Sequence, residues 1–434
     1  MFNKNYWKYF WNTIKESKWL LLKYLIVGIY LIVVGIIANR LHLDSLTYYN
    51  SMITLCYFGE MIAFGFIEGF GIYINQHISE SEKSKKYAKI GFYFTTALIS
   101  VVIILLAIFP NFIIKNILNL DFEVNLAFYY LMLVVMFVET LYCYLTNLLK
   151  KTGEFKHQMI ASLIQCILIA LSMFLILLFD SLLLIPIAII YLAAHIVSFA
   201  YCHFALVKNK NYSINILKPE KLSLSKQETK IIIGRALSEI IWEVGYIFIS
   251  LYILKTDIIV YNQYCYFENA LDILNGLFFA FVSVVSIKIC RCIGEEQKEE
   301  AEMHAKYSII STFVIWFVYA LISLCIYLPL KYGMNIELQD TAFVSLVLFL
   351  IVALFRFVEW NLGTYILGQS EYFTKAGLIL ETIFSLYWII LFLVADFLPH
   401  NVFFIYTLIA FENIVKTIIT LFAFKNKKWL EKSE

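Results

Sequence analysis

The chain has 434 residues, of which 62% are hydrophobic, 18% aromatic and only 15% charged. Too few charged residues are present to clothe a water-soluble domain of this length, so the composition excludes a soluble protein and offers no basic surface for nucleic acid. Lys and Arg number 34 against 32 Asp and Glu, and the net charge of +2 is uninformative as a sum; the placement of the charges carries the information.

The first eighteen residues hold Lys4, Lys8, Lys15 and Lys18, with Trp7, Phe10, Trp11 and Ile14 at i, i+3, i+4 and i+7. That spacing predicts an amphipathic helix lying on the membrane surface. No short apolar core with a small-residue cleavage site follows, so the segment does not read as a signal peptide. Apolar runs of spanning length then predict helices near 19–40, 46–78, 86–109, 123–149, 155–179 and 182–206. A polar stretch, 208–230, contains Pro219 and reads as a linker. A second set of helices follows near 231–254, 258–290, 303–328, 340–367, 373–395 and 400–424. The apolar runs are continuous, as in 101–109 and 182–194, where barrel strands would alternate. The expected fold is therefore all-α and polytopic, with twelve transmembrane helices in two six-helix bundles. The expected boundaries are an interfacial segment over 1–18, bundles over 19–207 and 230–434, and a cytoplasmic linker over 208–229.

With the amino terminus inside, 26 of the 34 Lys and Arg fall on one side and 4 on the other, the rest lying within spans. This asymmetry fits the positive-inside rule and places both termini in the cytoplasm of a cell (plasma or inner) membrane. Most of the eight cysteines fall in apolar runs and read as small apolar residues, not a disulfide frame or metal site.

The two halves resemble each other at an offset of about 215 residues. Ala127-Phe128 matches Ala342-Phe343, and Gly153-Glu154-Phe155 matches Ser370-Glu371-Tyr372 at an offset of 217. The turn at Gln76–Glu80 likewise matches Arg291–Glu295. Six spans, a linker and six spans give halves of equal orientation, as in transporters built from parallel repeats.

The run Gly65–Ser79, Gly294 in the second half, and Ile366–Tyr372 are similar to turns of the multidrug and toxic compound extrusion (MATE) family, within its wider superfamily with oligosaccharide-lipid flippases. The resemblance implies two six-helix bundles, alternating access, and export of organic, often cationic, compounds driven by H⁺ or Na⁺. Two departures stand out. Members often carry an acid late in the first span, where Gly35 and Ile36 lie here, and some carry one in the tenth span near Arg356.

An ionisable residue inside a span is costly and is a functional candidate by default. The cation-coupling candidates are Glu60, Glu68, Glu243, Arg356, Glu268 and Asp272; the substrate-cavity candidates are Glu139, Tyr142 and Glu359. Arg235, Glu239 and Glu243 recur every four residues and share a helical face, so Arg235 and Glu239 can pair. Glu243 is expected to approach Arg356, while Glu268 and Asp272, one turn apart, can share a proton or bind Na⁺. Glu139 beside Tyr142 and Tyr144 suits a cationic organic substrate. His195 reads as a packed, hydrogen-bonded residue; Glu381, Glu412 and Lys416 are further ionisable candidates within spans, and Lys416, near a span end, has the alternative of snorkelling to the headgroups.

No HExxH, Ser–Lys pair, phosphate loop or Walker motif appears. The expectation is a non-enzymatic secondary transporter without a bound cofactor, coupled to H⁺ or Na⁺. Its partners are the lipid bilayer and a small organic substrate, and it is monomeric. The alternative is a flippase for a lipid-linked oligosaccharide. That function needs a cationic cavity for pyrophosphate with several arginines in the spans, and only Arg235 and Arg356 lie there, against many acids.

Overall fold

The computed structural model describes residues 4–38, 43–114, 126–178, 184–209, 212–218, 223–333 and 342–431. Side chains are described for these residues apart from 31–52, 54–55, 172–173, 175–178, 184, 262, 265–266, 269–273, 326 and 328–333.

Twelve helices of 19 residues or more, and no strand, are present among the described residues. They are α1 (Lys4–Ala38), α2 (Leu43–Gln76), α3 (Ser81–Ile108), α4 (Leu126–Thr152), α5 (Phe155–Leu178) and α6 (Leu184–Lys208). The second set is α7 (Lys226–Thr256), α8 (Ile258–Gly294), α9 (Lys298–Gly333), α10 (Ala342–Trp360), α11 (Glu371–Leu393) and α12 (Val402–Lys425). Ten of them, all but α1 and α5, contain a described stretch long and apolar enough to cross a membrane. Their outward faces are apolar: Ile379, Ile383, Leu386 and Ile390 form an exposed stripe along α11, as do Val101, Ile104, Leu105 and Ile108 along α3. Stripes of that size demand a lipid solvent.

Several helices begin earlier than hydropathy predicts, because polar helix formers extend them beyond the apolar run. The Lys298–His304 start of α9, rich in Glu and Lys, is one case. Local caps set other starts. The Asp257 carboxylate accepts hydrogen bonds from the Ile259 and Val260 amides at the head of α8, and the Asn401 side chain accepts from Phe404 at the head of α12. At α7 a capping box forms: the Glu228 amide donates to Ser225 Oγ at 3.1 Å, and the Ser225 amide donates to Glu228 Oε2 at 2.5 Å.

The chain packs as two compact units, one of Leu22–Ile232 and one of Met1–Leu21 with Ile233–Glu434. In the first, α4 is central and packs against α2, α3, α5 and α6; in the second, α10 packs against α8, α9 and α12. The helices that surround α4 and α10 correspond through the sequence repeat.

Two boundaries differ from the sequence reading. The first eighteen residues are not a separate interfacial segment: they are the start of α1 and belong to the carboxy-terminal unit. The buried face is Tyr6, Phe10, Thr13 and Ser17, whereas Trp7 and Trp11 point outward. Tyr6 hydrogen-bonds Ser311 at 3.3 Å, and Lys288 pairs with Glu16 at 2.7 Å. The linker over 208–229 falls within the first unit and packs there. Tyr212, Ile214 and Ile216 are buried, Tyr212 hydrogen-bonds Ser84 at 3.0 Å, and Tyr93 donates to the Leu217 carbonyl at 2.9 Å. The Tyr87 hydroxyl of α3 also donates to Glu228, the capping acid of α7.

One glycine marks a close approach within the amino-terminal unit. A Cβ on Gly69 of α2 would sit 2.7 Å from the Ile232 carbonyl oxygen, a backbone atom that cannot swing aside. Gly69→Ala should therefore force α2 away from the start of α7 and cost about 1–3 kcal/mol. A lowered apparent melting temperature of the purified protein is the expected result, whereas an unchanged one would place that contact elsewhere.

Candidate functional site

Each unit holds a buried network of ionisable side chains on the helices around its central helix. In the amino-terminal unit the network is built on α4 and α6. Glu139 Oε1 lies 3.1 Å from His195 Nε2, and the Gln165 amide nitrogen of α5 lies 2.9 Å from the same ring nitrogen. His195 Nδ1 lies 2.7 Å from the Tyr191 carbonyl oxygen, one turn back on α6. A carbonyl only accepts, so Nδ1 must carry the hydrogen. The ring's second nitrogen can then accept from the Gln165 amide, and its 3.1 Å approach to the Glu139 carboxylate oxygen, a second acceptor, is satisfied when a proton sits between the two. The geometry therefore creates a position for one extra proton, shared by a carboxylate and an imidazole that is fully shielded from solvent.

The surroundings reinforce that reading. Glu139 is buried, and the Cys56 thiol and Glu60 carboxyl of α2 lie within hydrogen-bonding reach of its carboxyl group. Lys23 of α1 is the nearest positive charge that acts on Glu60. Tyr142 stands edge-on to His195 at 5.8 Å and closes the apolar side of the network. Glu68 lies apart: it pairs with Lys151 at 2.7 Å, with both side chains buried.

The carboxy-terminal unit is built differently on corresponding positions. At the offset of 217 set by Glu154 and Glu371, Glu139 corresponds to Arg356, Tyr142 to Glu359 and His195 to Glu412. Arg356, Glu359 and Glu412 all line one small cavity, together with Trp242, Trp360, Glu381 and Lys416. Lys416 Nζ is 2.7 Å from Glu381 Oε2 and 2.8 Å from Glu412 Oε1. Glu412 Oε2 accepts from the buried Trp388 indole at 2.6 Å. Beyond Trp360, α10 widens into a π turn over Asn361–Ile366, a distortion often found at functional positions. Asn361 anchors that turn: its amide donates to Thr312 at 2.8 Å and its carbonyl accepts from Ser308 at 3.0 Å. Gly363 inside the turn leaves room for Glu359, whose Oε1 would lie 2.9 Å from any Cβ there.

Arg356 is the main correction. The carboxylate it holds is Glu268 of α8 at 2.6 Å, with the Tyr264 hydroxyl at 3.3 Å and the Trp360 ring at 5.7 Å, and not Glu243. Helical spacing gave the face on which Arg356 lies but not the rotation of α8, which brings Glu268 to it. Glu243 is half-buried on α7, and its nearest charged neighbour is Glu239. The Asp272 side chain lies outside the described part. Arg235 and Glu239 pair at 2.5 Å, as their spacing predicts.

Four participants went unranked in the sequence. His195 is hydrogen-bonded as expected, but to an acid. Glu381 and Glu412 looked like isolated acids in apolar runs. Lys416 does not snorkel; it is 2% exposed and ion-paired. The Glu412–Lys416 spacing of four residues inside an apolar run was the available signal.

A polytopic, all-helical architecture with apolar outward faces is that of an integral membrane protein. No family model matches the sequence, and no curated protein matches it. Solved structures do match in fold. A MATE protein in complex with MaD3S superposes with a TM-score of 0.80 at 14% identity, over 97% of this chain and 96% of that one. The outward-facing conformation of a multidrug resistance MATE family transporter of the MOP superfamily gives 0.76 at 14% identity over 97% and 96%. A MOP superfamily transporter from Pyrococcus furiosus Vc1, for which reversed polarity of the binding pocket suggests a different function, gives 0.77 at 15% identity over 97% and 96%. The chain thus has the fold of MATE family transporters of the MOP superfamily.

Proposed function

We propose that the protein is a secondary active transporter that exports small organic, cationic or amphipathic compounds by alternating access, driven by a proton gradient. Twelve membrane crossings, cytoplasmic termini, a cell-membrane location and a monomeric state belong to the same reading. The observation that carries it is the Glu139–His195 pair. Its Nδ1 hydrogen is committed to the Tyr191 carbonyl, which leaves a buried position where one exchangeable proton binds. Transport of an added proton through a dry bundle needs such a position. The aromatic and acidic lining supports a cationic rather than an anionic cargo. A lipid-pyrophosphate flippase is less well supported, because Lys151, Arg235, Arg356 and Lys416 are each already paired with a carboxylate.

Reconstitution into vesicles tests this. Acid-inside vesicles should accumulate ethidium, and an uncoupler should release it. Absence of gradient-driven accumulation under both H⁺ and Na⁺ gradients, with ethidium and other organic cations as probes, overturns the reading.

A further inference from the structure

The carboxy-terminal cavity contains an imbalance that the proton pair of the other unit does not explain. Glu359, Glu381 and Glu412 line it together, and the ammonium among them is that of Lys416. Arg356 at its wall is already held by Glu268, and Arg235 by Glu239. The three acids come from three different helices, α10, α11 and α12, and converge on one spot. Glu381 and Glu412 hold the ammonium at 2.7 and 2.8 Å. Glu359 is 6% exposed, lines the same cavity and makes no hydrogen bond or ion pair among the described residues, although Lys416 is the charge it feels most strongly. The Phe384 ring, 5.3 Å from Nζ, closes another side of the ammonium.

Oxygen donors from several helices around one positive charge describe how proteins hold a hard cation. Here a side chain occupies the centre. We propose that Glu359, Glu381 and Glu412 form a monovalent-cation site whose resident cation is the chain's own Lys416 ammonium. The tether has a functional consequence. A covalently held ammonium cannot be exchanged across the membrane, so this site does not take up Na⁺ or K⁺ from solution while Lys416 is in place. Removing the ammonium opens the site to a small inorganic cation, with Glu359 supplying the oxygen that the lysine leaves unused.

The experiment is a thermal melt of purified protein in NaCl, in KCl and in N-methyl-D-glucamine chloride at equal ionic strength. The wild type should melt at the same temperature in all three. Lys416→Met should melt higher in Na⁺ or K⁺ by roughly 2–4 °C at a hundred-fold excess over the dissociation constant. Adding Glu359→Gln should erase that gain. Lys416→Met combined with Glu412→Gln carries one negative charge fewer, retains Glu359 and Glu381, and serves if the single variant does not fold. Absence of any Na⁺- or K⁺-specific gain in a folded Lys416→Met or double variant overturns the proposal. So does a Na⁺-specific rise in the wild type that Glu359→Gln removes, because the site would then be open already. The readout needs no transport, so its failure is separable from failure of the transporter reading.

Discussion

Lys416→Met, melted in buffer free of small inorganic cations, should lower the apparent melting temperature by roughly 3–6 °C, corresponding to a loss of about 3–5 kcal/mol. The effect is large because of what stays behind. Lys416 holds Glu381 at 2.7 Å and Glu412 at 2.8 Å in a cavity that Glu359 also lines. Methionine fills most of the lysine stem's volume, so packing changes little; the loss is electrostatic. Three carboxyl groups then share a buried space without the ammonium that compensated them. Each must recruit a proton, water or a cation from solution, or the helices must separate. Removing both sides of the interaction is a different matter, since a buried ion pair replaced by neutral groups of similar size is often close to neutral. Lys416→Met combined with Glu381→Gln and Glu412→Gln should therefore recover most of the loss. A single Lys416→Met that melts within a degree or two of wild type would mean that the ammonium is not the keystone of α10, α11 and α12.

The sequence shows some of this architecture and hides the rest for physical reasons. Helix existence follows from apolar length, and the Arg235–Glu239 pair follows from spacing on one helix. The packing within the linker was not legible because a capping box, Ser225-x-x-Glu228, and three scattered apolar residues, Tyr212, Ile214 and Ile216, have no periodic signature within a polar stretch. On α1 the spacing picked out Trp7 and Trp11, which are exposed, and did not show the inward-facing side. Size does not tell lipid from protein as the apolar partner, and the structure gives Tyr6 and Phe10 the inward positions. Snorkelling was an alternative for Lys416 because it stands late in the last apolar run. Yet α12 continues to Lys425, nine residues further, which places Lys416 about 13 Å inside the helix end, too far for its stem to span. Partners between helices, such as Arg356 with Glu268 or Glu139 with His195, depend on the rotation of two helices at once, and one chain's periodicity fixes only one. The π turn after Trp360, which accommodates Glu359, has no sequence signal beyond Gly363.

Glu139→Gln should reduce proton-driven accumulation to background while leaving the fold intact. The glutamine amide is nearly isosteric with the carboxyl and can donate to His195 Nε2 at the distance Glu139 Oε1 now occupies, 3.1 Å. It thereby satisfies the imidazole permanently, with a hydrogen that does not exchange places with a titrating proton. Stability should change by less than about 1 kcal/mol, because a hydrogen bond replaces a hydrogen bond. The transport cycle, by contrast, loses its proton-binding position, so neither the inward- nor the outward-facing state can load. Exchange of labelled against unlabelled substrate requires no net proton movement and should survive, which separates loss of coupling from loss of binding. Glu243→Gln provides the contrast. Glu243 has no basic partner among the described residues, the charge acting on it being Glu239, and its neutralisation should leave pH-driven accumulation near the wild-type rate. The reverse pattern, with Glu139→Gln fully coupled and Glu243→Gln inert, would move the proton path out of the amino-terminal unit and onto α7.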